Sequence, residues 1–350
     1  MNFYSKIIAT RGSPLAQWQA NWAQSLLGER LGCSIVINKI KTTGDAMQSG
    51  ASHPLVPFPQ VPHWATGKGV FVKEIQEALL SGQAHIAVHS LKDVPVTQTP
   101  GLQVICLLPR AHPSDVLVLS SKVMECINHL NSHRDILQTL HKALLKSGFS
   151  IGTTSTRRQA LSSHFFPGVP CKELRGNVDS RLKKVANQDY GAILLAKAGL
   201  DRLGLFNEEN MFVLDPSQWV PASCQGIVVL EVSKGVDKDF FDSVAALTHG
   251  PSAIEALLER WVLEHMGGDC HTPIGIYGGG GEVVHCIYQS QRGFSRWSWD
   301  IPLGLKDTLL QHTHLGWEAL RDIWAHTQWA EELKCRVLEF KAEVACKLWP

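Results

Sequence analysis

The sequence predicts an α/β protein with two units of mostly parallel sheet and a third, smaller α+β region. Three observations carry this. Short β-branched or apolar runs alternate with helical patterns through the first two thirds of the chain. The alternation restarts near Asp115, giving a second unit of roughly a hundred residues, within the usual domain range. From Asp237 the pattern changes to helices, a Gly-rich turn, short strands and a closing amphipathic segment. A length of 350 residues, against roughly 150 per domain, agrees with two or three domains.

In chain order, Lys6-Thr10 predicts a strand. Ser13 as N-cap and Pro14 at the first helical position start a helix, in which Leu15, Trp18, Trp22 and Leu26 recur at helical spacing up to a stop at Gly32. Ser34-Thr42 is the second strand. The stretch Ala46-Gly67 carries no charge and four prolines, which excludes a transmembrane helix and predicts a long loop. Phe71-Gln83 predicts a helix with Ile75 and Leu79 on its buried face, and Ala84-His89 a strand. The second unit reads as strand Asp115-Ser120, helix His133-Ser147, strand Phe149-Gly152, a helix from Arg158 to His164, strand Gly191-Ala196 and helix Ala198-Leu205. Val228-Val232 is a strand expected to return to the first unit. Helices Asp239-Leu247 and Ser252-His265 follow, then two or three strands between Ile274 and Asp300, and a helix or helix pair from Gly316 to Lys347.

Composition narrows the function. With 44% hydrophobic and 19% charged residues, the chain is neither disordered nor a broad nucleic-acid binder. Its 33 basic and 32 acidic side chains leave a net charge of +1, so any positive field is local and suits a small polyanion. Nine cysteines, at 33, 106, 126, 171, 224, 270, 286, 335 and 346, form no C-x-x-C pair and are odd in number. They read as reduced thiols that fill core space, with one reactive thiol among them. Sixteen histidines show no metal-ligand spacing, so no metal is expected. The start MNFYSKIIATRGS lacks the pattern of a signal peptide, which predicts a cytoplasmic protein.

Basic residues collect at strand-to-helix turns. Arg11 and Ser13 stand at the first, Ser155, Arg157 and Arg158 at a second, and Arg175 and Arg181 in Leu174-Arg175-Gly176-Asn177-Val178-Asp179-Ser180-Arg181. Free N–H groups and the helix dipole favour anions there, and the guanidinium fork matches carboxylate or phosphate. Several such turns converging on one cleft predict a ligand with several anionic groups; the alternative is isolated surface arginines. Asp93, in Val88-His89-Ser90-Leu91-Lys92-Asp93-Val94-Pro95, follows a predicted strand and would project into the crevice at the carboxyl end of the sheet, where α/β sheets place ligands. A turn-stabilising Asp is the other reading. Cys270 lies in Gly267-Gly268-Asp269-Cys270-His271-Thr272-Pro273, a Gly-rich loop exposed enough for modification. Its neighbour His271 does not make a thiol hydrolase, because such pairs are spatial rather than sequential. Gly278-Gly281 lacks the Lys-Ser/Thr of a phosphate loop and reads as a turn.

The segments ATRGSPLAQWQ, KTTGD, GKGVFVKEIQEALL, HIAVHSLKDVPV, IGTTSTRRQAL, LRGNVDSRL, LLAKAGLDRLGL, PASCQG and GGDCHTPIG occur in the order found in the hydroxymethylbilane synthase family, also called porphobilinogen deaminases. The resemblance spans Ile7 to about Gly275 and weakens beyond. It implies two type II periplasmic-binding-protein-like domains and a third α+β domain: 1–110 completed by 226–245, 111–225, and 246–350. It also implies a monomeric transferase of porphyrin and haem biosynthesis. Such an enzyme joins four porphobilinogen molecules head to tail into hydroxymethylbilane, with release of four ammonia, for the next enzyme of tetrapyrrole synthesis.

The resemblance gives Asp93 the role of catalytic carboxylate. It makes Cys270 the thioether anchor of a dipyrromethane cofactor held by Lys92, Ser155, Arg157, Arg158 and Arg181. Arg11, Ser13, Arg175, Arg202 and Gln225 become substrate ligands. An acid–base carboxylate suits loss of ammonia and the pyrrolic cations that follow, and the arginines suit the acetate and propionate on every ring. The chain departs from the family at Thr156, at Cys224-Gln225-Gly226-Ile227, and at Asp269 and His271-Thr272 around the cysteine. Asp269 opposes thiolate formation by like-charge repulsion. The loop after Asp45 and the segment Ser121-Ser147 are longer than usual. Two rival readings use the same residues: a non-enzymatic polycarboxylate binder, and an inactive relative that no longer assembles its cofactor.

Overall fold

The computed structural model describes residues 5–42, 72–128, 136–269, 272–280, 282–290, 293–302 and 304–346. The long loop 46–67, Cys270 and His271 lie outside the described residues, as do Phe71, His133 and Lys347 at the ends of predicted helices.

The first sheet contains β1 (Lys6–Arg11), β2 (Ile35–Ile40), β3 (Ile86–Ser90), β4 (Leu102–Leu107) and β10 (Val228–Ser233), in the order β2-β1-β3-β10-β4. Strand β1 is parallel to both neighbours, with Ile8 opposite Ile37 and Ile86, whereas β10 runs antiparallel between β3 and β4. The second sheet contains β5 (Asp115–Leu119), β6 (Ile151–Gly152), β7 (Cys171–Lys172), β8 (Ala192–Ala196) and β9 (Met211–Val213), in the order β7-β6-β8-β5-β9. Its fourth strand, β5, is again the reversed one. The fold is thus α/β with two type II periplasmic-binding-protein-like sheets. Each reversed strand is where the chain enters one lobe from the other. Helices cover both faces of the sheets, so β5 and β8 can be apolar along nearly their whole length.

Local chemistry accounts for the first helix, α1 (Pro14–Leu31): the Ser13 hydroxyl accepts from the Ala16 N–H at 3.3 Å, and Gly32 ends the helix at φ 60°. The predicted stripe of Leu15, Trp18, Trp22 and Leu26 is not the fully buried one, however. Ala16, Ala20, Ala23, Leu27 and Leu31 face the sheet and Trp18 is exposed, because small side chains bring the helix close to β1 and β3. Helix α2 (Lys73–Leu80) is shorter than expected but buries Ile75 and Leu79 as predicted. The second lobe adds α3 (Ser121–Asn128), α4 (Ile136–Ser147), α5 (Thr156–Phe165), α6 (Val178–Ala186) and α7 (Lys197–Arg202).

Six elements escape the sequence pattern, the short helices Ser121–Asn128 and Leu305–Leu310 among them. Strand β4 follows β3 with no α-helix between them and joins the sheet only through the returning β10. The short strands β7 and β9 are defined by pairing alone, and α6 is a short, polar helix that buries only Val185.

After β10 come α8 (Lys238–Ala245), which packs into the first-lobe core, and α9 (Gly250–Met266). The antiparallel meander β11 (Ile274–Gly279), β12 (Val283–Ser290) and β13 (Gly293–Asp300) follows, with α10 (Leu305–Leu310), α11 (Trp317–Ala325) and α12 (Gln328–Cys346). Trp299, Trp317, Trp324 and Phe340 form a core with α9 that continues into Leu91, Val94 and Leu107 of the first lobe. The two crossings between lobes touch: Ala111 N–H donates to Gly226 O at 3.0 Å and Leu108 N–H to Val228 O at 2.9 Å. Gly226 has φ 94°, and a Cβ there would lie 2.5 Å from the Ala111 carbonyl oxygen, so only glycine fits.

Candidate active site

Asp93 ends a single 3-10 turn, Leu91–Asp93, that follows β3. Leu91 and Val94 on either side are buried in the core shared with α9, while Asp93 itself is exposed. Its carboxylate has no hydrogen-bond or ion-pair partner among the described residues. Two cavities of about 250 Å³ each open on it. The first is lined by Lys92, Asp93, Ser155 and Arg157 on one side and by Gly268, Asp269 and Thr272 on the other. The second is lined by Arg11, Ser13, Lys92, Asp93, Arg158 and Arg181. Lys92 and Asp93 are therefore the seam between them.

The paired arginines occupy the first turn of α5, where Ser155 is the N-cap and accepts from the Arg158 N–H at 3.4 Å. Both side chains are buried and converge on Asp115, the first residue of β5 and fully buried. Arg157 Nη2 donates to Asp115 Oδ2 at 2.9 Å and Arg158 Nη2 to Oδ1 at 2.7 Å. Trp219 Nε1 and Gln225 Nε2 complete the shell at 3.0 and 2.9 Å. Burial alone would raise the Asp115 carboxyl, but the two guanidiniums outweigh it and hold it far below the usual carboxylate range. The remaining Nη1 groups donate to Val220 O and Leu194 O, and both Nε atoms are buried without a partner.

Gln225 lies behind this pair rather than in either cavity. Its side chain also donates to Pro113 O at 2.7 Å and accepts from Lys92 Nζ at 3.3 Å. Lys92, Gln225 and Asp115 thus form a chain from one lobe through the crossing to the other. Burial lowers the Lys92 ammonium pKa, Asp93 opposes that shift, and Arg158 adds to it.

The other candidate residues divide. Arg181 donates from Nε to Gly176 O at 2.6 Å, and burial, helped by Arg158, pushes it down to about 10, which leaves it cationic at neutral pH. Arg175 is exposed and paired with Glu173, and Arg202 donates to Gly226 O at 2.7 Å with Trp18 under its guanidinium; neither lines the two cavities. Beside the undescribed Cys270, Gly267 closes α9 with φ 69°, and Asp269 Oδ1 accepts from the Thr272 N–H at 3.1 Å and hydroxyl at 3.0 Å. The Asp269 carboxylate is therefore engaged in its own turn.

Sequence reading missed Asp115, Arg110, Glu259 and Arg260. Glu259 of α9, fully buried, accepts from Arg110 Nη1 at 2.6 Å and from the N–H groups of Cys224 and Gly278, so it ties the crossing to the third region. The available signals were an acid opening an otherwise apolar strand, DVLVL, and an adjacent Glu-Arg pair on a helix buried nearly all round.

Among the described residues, no cluster could hold a metal ion and no helix is long and apolar enough to cross a membrane.

A family model described as "Porphobilinogen deaminase, dipyromethane cofactor binding domain" matches residues 7–240. The porphobilinogen deaminase of Nitratidesulfovibrio vulgaris (strain Miyazaki F) is 38% identical over 269 residues, covering 77% of this chain and 76% of the relative. That of Albidiferax ferrireducens is 36% identical over 270 residues, covering 77% and 76%. The probable porphobilinogen deaminase of Methanocella arvoryzae is 37% identical over 270 residues, covering 77% and 78%.

Proposed function

Since the chain belongs to the porphobilinogen deaminase family, we propose that it is a hydroxymethylbilane synthase of tetrapyrrole biosynthesis, with Asp93 as its catalytic carboxylate. One observation carries the assignment of Asp93: an unpartnered carboxylate at the seam of two cavities whose other charged walls are mostly cationic. A turn-stabilising Asp would be expected to bond its own turn, and Asp93 does not.

The first cavity suits the dipyrromethane group named in the family description. Lys92, Ser155 and Arg157 offer donors for carboxylates, and the opposite wall, Gly268, Asp269 and Thr272, flanks Cys270, the proposed thioether anchor. The unpartnered Nε atoms of Arg157 and Arg158 are spare donors in the same pair. When bound, dipyrromethane supplies the pyrrole end to which porphobilinogen units are joined. Arg158 and Arg181 line the second cavity with Arg11 and Ser13, so they support binding of the incoming porphobilinogen as well as the cofactor. Arg175, Arg202 and Gln225 remain assigned to substrate: the first two from outside the two cavities, Gln225 through Lys92.

Asp93 has two tasks at its carboxylate oxygens. It hydrogen-bonds the protonated amino group of porphobilinogen, which leaves as neutral ammonia with the bonding pair, and its negative charge stabilises the cationic carbon left behind. It then takes a proton released when the new carbon–carbon bond forms. Lys92, beside it, holds a ligand carboxylate and keeps the local charge balanced.

The proposed domain division is 1–110 completed by 226–245, 111–225, and 246–350, and the strand membership of the three sheets supports it. The protein is further proposed to be cytoplasmic and monomeric and to pass its product to the next tetrapyrrole enzyme. Intact mass and single-turnover mixing test the whole reading. Wild type should carry a dipyrromethane adduct that Cys270→Ser lacks. Asp93→Asn holoenzyme should release ammonia about 10² to 10⁴ more slowly. Release near the wild-type rate would make Asp93 a structural turn residue, and an unmodified wild-type chain would favour the binder or the inactive relative.

A further inference from the structure

The backbone that carries Asp93 is held on two sides. Upstream, Leu91 N–H donates to Ile227 O at 3.0 Å, which fixes the turn to the foot of β10. Downstream, the chain from Val94 to Val96 belongs to no sheet and includes Pro95, which has no N–H to give. Its three carbonyl oxygens nevertheless share one donor group. Arg260 Nη1 donates to Val94 O at 3.1 Å, and Nη2 donates to Pro95 O at 2.6 Å and Val96 O at 3.2 Å.

Arg260 is 6% exposed, and among the described residues no carboxylate pairs with it. The neighbouring Glu259 is taken by Arg110. A buried guanidinium without a counterion is expensive to desolvate, and an apolar side chain would avoid that cost. An apolar side chain, however, would satisfy none of the three carbonyls.

The helix that carries Arg260 also carries the opposite wall of the first cavity. Leu263 lines it, and the helix ends at Gly267, from which the chain runs directly through Gly268 and Asp269. Val94, Pro95, Val96 and Thr97 line the facing side. One guanidinium therefore joins the wall that follows Asp93 to the helix that leads to the attachment loop.

We propose that Arg260 is a positioning residue: by clamping the carbonyls of Val94, Pro95 and Val96 to α9, it sets the distance between Asp93 and the loop leading to Cys270. It touches no substrate and acts through the placement of Asp93. The inference rests on the assignment of Asp93 as the reacting carboxylate.

The test compares Arg260→Gln, Arg260→Lys and Asp93→Asn with wild type, each as holoenzyme quantified by intact mass. Misplacement of a reacting group by about 1 Å costs on the order of 10²-fold, so kcat per cofactor-bearing molecule should fall about 10- to 100-fold in Arg260→Gln. KM for porphobilinogen should change less than about threefold, because ground-state contacts remain. The pH profile should keep its shape. Arg260→Lys, which cannot reach all three carbonyls from one ammonium, should lose about 3- to 10-fold, so the order of the two variants reports the clamp. Wild-type kcat in Arg260→Lys overturns the inference even if Arg260→Gln does not fold. So does a loss carried by KM. An Asp93→Asn enzyme as fast as wild type would sink the underlying assignment instead, whereas a slow Asp93→Asn beside normal Arg260 variants would sink this inference alone.

Discussion

Asp115→Asn removes one negative charge from a site where two buried guanidiniums, an indole and an amide all donate to the carboxylate. Asparagine keeps the volume but offers a single acceptor oxygen. Whichever way the amide turns, its NH₂ group must face two donors from Arg157 and Trp219, or from Arg158 and Gln225. Breaking a buried pair by removing one partner costs about 3–5 kcal/mol, because the other charge stays buried and unneutralised. With about 2–8 °C per kcal/mol across units of 60–250 residues, the unfolding transition should fall by roughly 6–40 °C. Differential scanning calorimetry measures this, and intact mass of the same sample should show mostly unmodified chain, since the arginine pair no longer holds its geometry. Removing a guanidinium as well, in Asp115→Asn/Arg157→Met, should return part of the loss, with a coupling on the order of 0.5–3 kcal/mol. A fall below about 2 °C with full cofactor content, or strict additivity in the double variant, would refute the view that Asp115 is the internal counterion of the pair.

Three further outcomes are expected. Arg157→Leu or Arg158→Leu should each leave much of the protein without cofactor, and holoenzyme yields equal to wild type for both would count against cofactor binding at this turn. The depressed carboxyl of Asp115 contributes stability that is present above the ordinary carboxylate value of about 4 and lost as pH falls below it. Wild type should therefore lose thermal stability steeply below that pH, while Asp115→Asn, already destabilised, should show a shallower dependence; parallel curves would contradict the linkage. Gly226→Ala should cost at least about 1–3 kcal/mol, from the φ of 94° and the approach of its Cβ to the Ala111 carbonyl, measured as a lower melting temperature; an unchanged value would mean that the crossing can relax.

Much of the fold was legible because its signals are local. Ser13, Pro14 and Gly32 bound α1 through bonds that span four residues or fewer, and Ser155 caps α5 in the same way. The apolar runs of β1, β3, β5, β8 and β10 follow from hydrophobic pattern alone. Asp93 at the end of a strand and the arginines at strand-to-helix turns were likewise visible, because each turn writes its chemistry into a few consecutive residues. The family motifs then attached a function to those positions.

The partner of each charged group was not legible, because it is chosen across long stretches of chain. Asp115 is 42 and 43 residues from its two arginines and 110 from Gln225, and Arg260 is 166 residues from Val94. Nothing within a helical or strand period marks such pairs. The same holds for the distribution of arginines: Arg157 faces one cavity and Arg158 the other, although they are neighbours in the first turn of one helix, and Arg175 and Arg202 face neither. The sequence by itself determined which elements form and which residue types gather at their ends, since caps, periodicity and turn residues act over a few positions. Only the tertiary structure decided which charges face a ligand and which neutralise one another, since a buried charge is settled by whatever partner the packing of distant segments brings within about 3 Å.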